Sequence, residues 1–323
     1  VVTGATGFIG SHLVDYLIEH GCIVHALVRE TSDRRWLNKS DQVKVHTIDL
    51  LKNSPITCLQ KADYLFHCAG LTKAKTRDDY FSGNVDSCEI LYERCVSIGA
   101  NLKAIVHLSS LAAAGPSIMG EPAQEKNSCK PVTYYGESKL AGEEIALKYA
   151  SSLPIVIIRP PVVYGPREQN FFVYLKALSQ GWNVKIGTSR RELSLVYVAD
   201  VVRAMAQAVV FYPQKEKIYY VTDGEHYLWS DISNSAMKIL NVRAKKLVIP
   251  EPLLPLFSCF FETLAWFGSK PPLFDRQRMI DICQTSWIAS PKEFFESHMF
   301  KPQYNLAKGL QETIDWGKNN NWL

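Results

Sequence analysis

The sequence predicts an α/β fold built on a doubly wound parallel sheet. Two observations predict it. A strand turns through three spaced glycines into a helix within the first eighteen residues, and apolar strand-like runs then alternate regularly with helix-like segments as far as residue 108.

The opening stretch anchors the reading. Val1-Val2 ends a strand, and Gly4, Gly7 and Gly10 follow at a G-x-x-G-x-x-G spacing, with Thr6, Phe8 and Ile9 between them. Ser11 to Ile18 reads as a helix with Leu13, Leu17 and Ile18 on one apolar side. Gly4 permits a tight turn, Gly7 lets the backbone approach a pyrophosphate, and Gly10 lets helix and strand pack closely. The helix N-terminus adds free N–H groups and partial positive charge, which makes this a dinucleotide-phosphate site. An ordinary strand–loop–helix turn is the alternative, and the strand before and helix after favour the phosphate site. The chain opens in mid-strand, so a few residues are expected ahead of Val1, and no signal peptide is seen.

Cys22 to Val28 reads as a second buried strand, ending at Arg29-Glu30. An acidic residue here holds the adenosine ribose of NAD, whereas an Arg pairs with the 2′-phosphate of NADP. Arg29 comes first, with Arg34 and Arg35 close behind, so NADP is favoured; Glu30 keeps NAD open. Val43 to Ile48 is a third strand closed by Asp49-Leu50, and Ala62 to Gly70 a fourth that runs into the small-residue turn Ala69-Gly70. A long helix is expected over 79–97, then a fifth strand over 104–108 ending in Ser109-Ser110. Pro and Gly cluster at 115–122, 160–166 and 250–272, which read as loops.

Tyr135 and Lys139 stand four residues apart at the start of a helix reaching about Ala150, and so share one face. A nearby ammonium lowers a phenol's pKa, which suits Tyr135 to exchange a proton with an alcohol or carbonyl. Ser110, at a strand's carboxyl end, is placed to hydrogen-bond the same oxygen, with Ser109 its rival.

Together, Thr3-Gly-Ala-Thr-Gly-Phe-Ile-Gly10, Ser110 and Tyr135-Gly-Glu-Ser-Lys139 resemble the extended short-chain dehydrogenase/reductase family. Asn84, in Phe81-Ser-Gly-Asn-Val-Asp86, matches the family's Asn on the long helix. Arg159-Pro-Pro-Val-Val-Tyr-Gly-Pro166 is similar to its strand and loop beside the nicotinamide, and Val198-Ala-Asp-Val201 to a later element. The resemblance is collinear from residue 1 to about 205. It implies a Rossmann-type doubly wound parallel sheet with a smaller C-terminal substrate-binding region. Residues 1–160 form the dinucleotide-binding domain and 161–323 mainly the substrate region, with some segments returning to the sheet.

The resemblance also implies roles. Tyr135 is the proton donor or acceptor, Lys139 holds the nicotinamide ribose and lowers the Tyr135 pKa, Ser110 polarises the substrate oxygen, and Asn84 supports Lys139. Gly4, Thr6, Gly7, Phe8 and Ile9 face the cofactor phosphates. Arg29, Asp49, Leu50, Ala69, Gly70, Pro160 and Val163 complete the cofactor contacts. A homodimer through helices 79–97 and 138–150 is implied, and no metal is expected.

Two branches of the family remain open. One acts as an oxidoreductase on a secondary alcohol or ketone, resembling 3β-hydroxysteroid dehydrogenase and dihydroflavonol reductase. The other comprises nucleotide-sugar epimerases and dehydratases, which recycle the cofactor in place. Nucleotide-sugar members usually carry Asn where this chain has Val162, and an Arg where it has Leu193, with Arg191 two residues away. A diphosphate site calls for charge-assisted donors, so these departures favour a less polar substrate. Leu111, Ala112 and Ala113 supply no acid for a dehydratase. A third reading, a non-catalytic cofactor-binding sensor, is disfavoured because Ser110, Tyr135 and Lys139 are all kept.

The apolar stretch at 253–267 holds a helix from Pro255, with Ser258, Glu262 and Thr263 as its polar residues. It reads as a core or dimer-interface helix, a lid over an apolar substrate, a peripheral membrane contact or a span, though it is shorter than the ~20 apolar residues a bilayer requires. Short helices are expected at 274–283 and 306–316. Composition bounds the rest. With 47% hydrophobic and 21% charged residues, a net charge of +4 and dispersed Lys and Arg, the chain reads as globular rather than nucleic-acid-binding. Eight cysteines without C-x-x-C or His spacing fit a reducing, cytoplasmic compartment, with membrane association through 253–267 left open.

Overall fold

Strands buried on both faces need apolar side chains at every position, and this dictates the centre of the molecule. The computed structural model describes residues 1–52, 54–211, 217–266 and 275–323. β1 (Val2–Thr3) leads into α1 (Phe8–Glu19), β2 (Val24–Val28), β3 (Val43–Thr47) and β4 (Tyr64–His67). A helical run follows, comprising α2 (Arg77–Phe81), a π turn over Ser82–Asp86 and α3 (Ser87–Ser97). Then come β5 (Ala104–Leu108), α4 (Leu111–Ala114), α5 (Tyr134–Tyr149) and β6 (Ile155–Arg159). The second half holds β7 (Val162–Tyr164), α6 (Gln169–Ser179), β8 (Trp182–Ile186), β9 (Glu192–Tyr197), α7 (Val198–Val210), β10 (Lys217–Tyr220), β11 (His226–Leu228) and α8 (Trp229–Leu240). It closes with β12 (Lys245–Ile249), α9 (Leu254–Trp266), α10 (Arg276–Cys283), β13 (Ser286–Trp287), α11 (Lys292–His298) and α12 (Leu306–Asn319).

The main sheet has seven strands in the order β10-β6-β5-β4-β1-β2-β3, all parallel. Every residue of β5 and β6 is buried. Successive side chains enter opposite cores, as a pleat requires. Phe66, Val106, Val156 and Ile158 meet Leu13, Val14, Val201 and Met205 of α1 and α7. Leu65, Ile105, Ile155 and Ile157 meet Leu91, Tyr92 and Ala146 of α3 and α5. Strand order reverses between β1 and β4, so the crevice at their carboxyl ends is where an open sheet takes a ligand.

The remaining strands form a smaller layer. β9 pairs with β7, β11 and β13, and β12 pairs with β8. Tyr164, Phe171, Leu175, Leu195 and Leu310 fill a separate core beneath them.

Several expectations need correcting. The loop expected at 160–166 contains β7, because Val162, Val163 and Tyr164 pair in parallel with Leu195, Val196 and Tyr197. The loop expected at 250–272 contains α9 instead, which agrees with the helix expected from Pro255; residues 267–274 lie outside the described residues. The helix expected over 79–97 begins at Arg77 and widens into a π turn at 82–86. Among the described residues no helix is long and apolar enough to cross a membrane, and α9 has 13 residues. Leu254 of α9 is buried, whereas Leu253, Leu256 and Phe257 are exposed.

Candidate active site

The glycine turn is close-packed backbone. Gly4 takes φ +63°, and a Cβ there meets Ala69 N and Cys68 C, each at 2.7 Å. Gly7 donates its N–H to Gly4 O at 2.9 Å and N-caps α1, leaving Phe8, Ile9 and their neighbours to present the first-turn N–H groups. At Gly10 a Cβ lies 2.2 Å from Gly4 O, where no side chain can yield. A dinucleotide pyrophosphate fits such a cradle, because bare backbone donors meet it with no Cβ in the way. Gly10→Ala is expected to cost about 1–3 kcal/mol of stability and to weaken NADH binding by more than tenfold, as backbone must move to accept the methyl. Wild-type affinity in a fluorescence titration of this variant would exclude the close-packing role.

The other cofactor candidates lie around the same crevice. Ala69 and Gly70 follow β4, and Thr3 Oγ1 ties that turn to β1 by accepting from Ala69 N at 3.0 Å while bonding His67 Nδ1 at 2.8 Å. Asp49 and Leu50 follow β3, where Asp49 Oδ1 accepts from Leu51 N at 3.1 Å and Leu50 is buried. Arg29 is exposed one residue past β2, its backbone N–H donating to Ser32 Oγ at 3.0 Å. Arg34 is engaged with Thr47 and Arg35 with Asp33. Pro160 O accepts from Leu111 N at 2.8 Å, and Val163 packs against the sheet core from β7. Thr6 is half-buried in the turn.

Asn84 occupies the π turn. Its Nδ2 donates to Leu71 O at 3.0 Å and Ser138 Oγ at 2.9 Å, and its Oδ1 accepts from Leu71 N at 2.6 Å. The extra residue of a π turn re-aims one side chain, and here it aims Asn84 at the loop after Gly70. A Cβ on Gly70 lies 2.8 Å from Asn84 Oδ1 and 3.9 Å from Lys139 Nζ, so turn, Asn84 and Lys139 converge.

Ser110, Tyr135 and Lys139 come together at the carboxyl end of β5. Thr133 caps α5 by accepting from Gly136 N at 3.1 Å, which sets Tyr135 in the first turn. Tyr135 stands beside Ser110, whose hydroxyl counters part of the rise of the phenol, and Ser110 Oγ accepts from Ala112 N at 3.1 Å. Ser109 points elsewhere and donates to Glu143 Oε1. Lys139 is buried and donates to Leu108 O at 2.7 Å.

The acid–base expectation is corrected here. Burial pushes the Tyr135 phenol up to about 12, and the neighbouring Ser110 hydroxyl offsets this only in part. The Lys139 ammonium is lowered, mainly by burial. With Lys139 directed at the Leu108 carbonyl, desolvation outweighs any lowering of the phenol by the ammonium.

Sequence reasoning missed the neighbours of this group. Glu143, one turn beyond Lys139, is clasped by Arg159 at 2.5 Å, both nearly inaccessible to solvent. Burial opposes the Arg159 charge, yet the Glu143 hydrogen bonds and charge hold its guanidinium above the usual range. Tyr80, itself buried, lies 6.3 Å from Tyr135 between ring centroids, and Gln277 Oε1 accepts from Tyr134 N at 2.7 Å. That bond brings α10, with Arg278 and Asp281, to the site. Arg191 is tied to Glu251 at 2.7 Å and to the Ile186 carbonyl, and Leu193 sits in β9. Two His/Cys groups, His67–Cys88–His107 and His25–His46–Cys58, place their ligand atoms within 4.8 Å of one another. Sequence spacing hid both, because their members come from adjacent strands and separate helical segments.

Crevice, glycine cradle and Tyr–Ser–Lys group together are those of a short-chain dehydrogenase/reductase-type enzyme that works with a nicotinamide cofactor. Residues 1–221 match the NAD dependent epimerase/dehydratase family, and the chain belongs to it. It is 26% identical over 328 residues to the ceramide reductase of Caulobacter vibrioides, covering 100% of this chain and 95% of that protein. To the UDP-glucose 4-epimerase of Vibrio cholerae it is 26% identical over 333 residues, covering 97% and 93%. The fold of MoeE5, solved with UDP-glucuronic acid and NAD, superimposes with a TM-score of 0.78 at 24% identity, covering 99% of this chain and 98% of that one.

Proposed function

We propose that the protein is an NADP(H)-preferring oxidoreductase that interconverts a secondary alcohol and a ketone on a lipid-like substrate. The observation that carries this reading is the convergence of Ser110, Tyr135 and Lys139 at the carboxyl end of β5, with Lys139 held on Leu108 O. A bound nicotinamide supplies or accepts hydride. Tyr135 Oη gives a proton to, or takes one from, the substrate oxygen, and Ser110 Oγ hydrogen-bonds that oxygen. Lys139 holds the ribose side, and Asn84 fixes the turn beside it. Gly4, Gly7 and the first turn of α1 take the pyrophosphate.

Arg191 favours the less polar substrate. Its guanidinium is engaged with Glu251 and Ile186 O, so it is poorly placed to grip a diphosphate. The ceramide reductase relative points the same way, and the exposed apolar side chains of Leu253, just before α9, and of Leu256 and Phe257 in its first turn suit a membrane-surface or lipid partner. The epimerase relative keeps a second reading, in-place recycling on a nucleotide sugar. Residues 161–323 mainly shape the substrate region in this proposal. A homodimer through α3 and α5 is supported by Val96 and Leu147, exposed on these two helices and neighboured by the Lys148–Glu89 bridge. All eight cysteines are free, which suits the cytoplasm.

Cofactor binding tests the reading. NADPH is expected to bind exchangeably and more tightly than NADH. Arg29→Ala is expected to cost roughly tenfold in NADPH affinity and little for NADH, since one charge-assisted hydrogen bond contributes about 1.5–3 kcal/mol. NAD that survives purification, with no effect of Arg29→Ala, overturns the NADP preference and moves the epimerase reading first.

A further inference from the structure

The side of the site facing the C-terminal region carries a charge that the proton transfer does not use. Gln277 pins α10 to the first residue of the catalytic helix through the Tyr134 N–H. Asp281 follows four residues later, on the same face of α10 as Gln277. Its negative charge adds, after burial, to the rise of the Tyr135 and Tyr80 phenols. Its backbone carbonyl is engaged with Trp287 Nε1 at 3.1 Å and Gln284 N at 3.3 Å, so the residue is fixed in place. Yet Oδ1 is shielded from solvent and has no hydrogen-bond partner among the described residues.

A shielded carboxylate oxygen without a donor is costly, and such groups concentrate where a ligand completes them. Burial pushes the Asp281 carboxyl up to about 6, with Arg278 opposing and Asp275 reinforcing the rise. Asp275 is already engaged as the cap of α10, accepting from Arg278 N at 2.7 Å. What Asp281 Oδ1 lacks among the described residues is a hydrogen-bond donor.

We propose that Asp281 is a substrate-binding residue whose Oδ1 accepts a hydrogen bond from a hydroxyl or amide N–H borne next to the carbonyl that Tyr135 protonates. The inference rests on the ketone-reductase reading and narrows it. The substrate class becomes an amphiphilic ketone, with an apolar chain and a donor-bearing polar head. A ketone without the donor leaves the carboxylate unpaired and is rejected, the kind of discrimination that a buried polar group provides.

Binding and turnover are measured separately, with cofactor present, on four short-chain N-acyl amino ketones. One carries both a primary hydroxyl and the amide N–H. A second has the amide methylated, a third lacks the hydroxyl, and the fourth has neither donor. Wild-type protein is expected to bind the first at least tenfold more tightly than the fourth by calorimetry, and the second and third show which donor is read. In Asp281→Ala the preference is expected to collapse to within twofold, with Asp281→Asn intermediate and cofactor affinity unchanged in both. Equal binding of the four by wild type, binding of none, or a preference that persists in Asp281→Ala overturns the inference. Preferential binding without turnover of any ketone supports Asp281 as the binding residue and sinks the reductase reading instead.

Discussion

Tyr135→Phe is expected to lower turnover by roughly 10²–10⁴-fold, the range that a positioned general acid–base contributes, while cofactor affinity stays within about twofold of wild type. The phenol oxygen is the one atom this change removes. The ring remains against Tyr80, and Thr133 still caps the helix that carries it. Stability changes little, because the phenol's neighbour, Ser110, keeps its bond from Ala112 N. A large loss in kcat with KM nearly unchanged identifies an interaction made in the transition state. Intact physiological function in Tyr135→Phe, with unchanged cofactor binding, would instead favour the non-catalytic sensor. Because burial holds the Tyr135 phenol at about 12, it stays protonated at neutral pH, the form a ketone reductase needs as proton donor.

Glu143→Ala is expected to destabilise the fold by about 3–5 kcal/mol, the usual consequence of removing one partner from a buried ion pair. Arg159 then keeps its charge with side-chain exposure of 2%, retaining Tyr220 OH at 3.0 Å and Cys129 Sγ at 3.2 Å as partners. Ser109 also loses the acceptor of its hydroxyl. Thermal unfolding checks this, with Tm expected to fall by about 5–15 °C. Replacing both residues, Glu143→Met with Arg159→Met, is expected to recover much of the loss, since apolar side chains of similar size often substitute for a buried pair. A single-variant cost below about 1 kcal/mol contradicts this account, because it is the cost typical of an exposed pair.

The sequence makes the first half of this molecule legible for a physical reason. β5 and β6 are buried on both faces, so they appear as mostly apolar runs broken only by His107 and Arg159, and the glycine turn appears because no Cβ is tolerated at Gly4 or Gly10. What stays hidden depends on partners distant in the chain. β7 is a strand only because β9 lies beside it, and its three residues are flanked by Pro161 and Gly165. The π turn at Asn84 leaves no compositional trace. Gln277 of α10 docks on Tyr134, 143 residues away, a relation that no local spacing expresses. The Tyr135–Lys139 spacing is plain in the sequence, whereas the depth of burial that raises the phenol is not.

The order of the main sheet also bears on how the chain is made. β10, the edge strand beside β6, comes from residues 217–220, and α7, which covers α1 and the faces of β5 and β6, comes from residues 198–210. A ribosome that has released only the first 160 residues has therefore emitted six of the seven strands without one of their covering helices. Val106, Val156 and Ile158 then stay uncovered until some fifty further residues emerge. At elongation rates of about 5–20 residues per second, that interval lasts several seconds. Vectorial synthesis thus leaves a sticky, half-roofed sheet in the nascent chain, and the third quarter of the protein shields what the first half exposes.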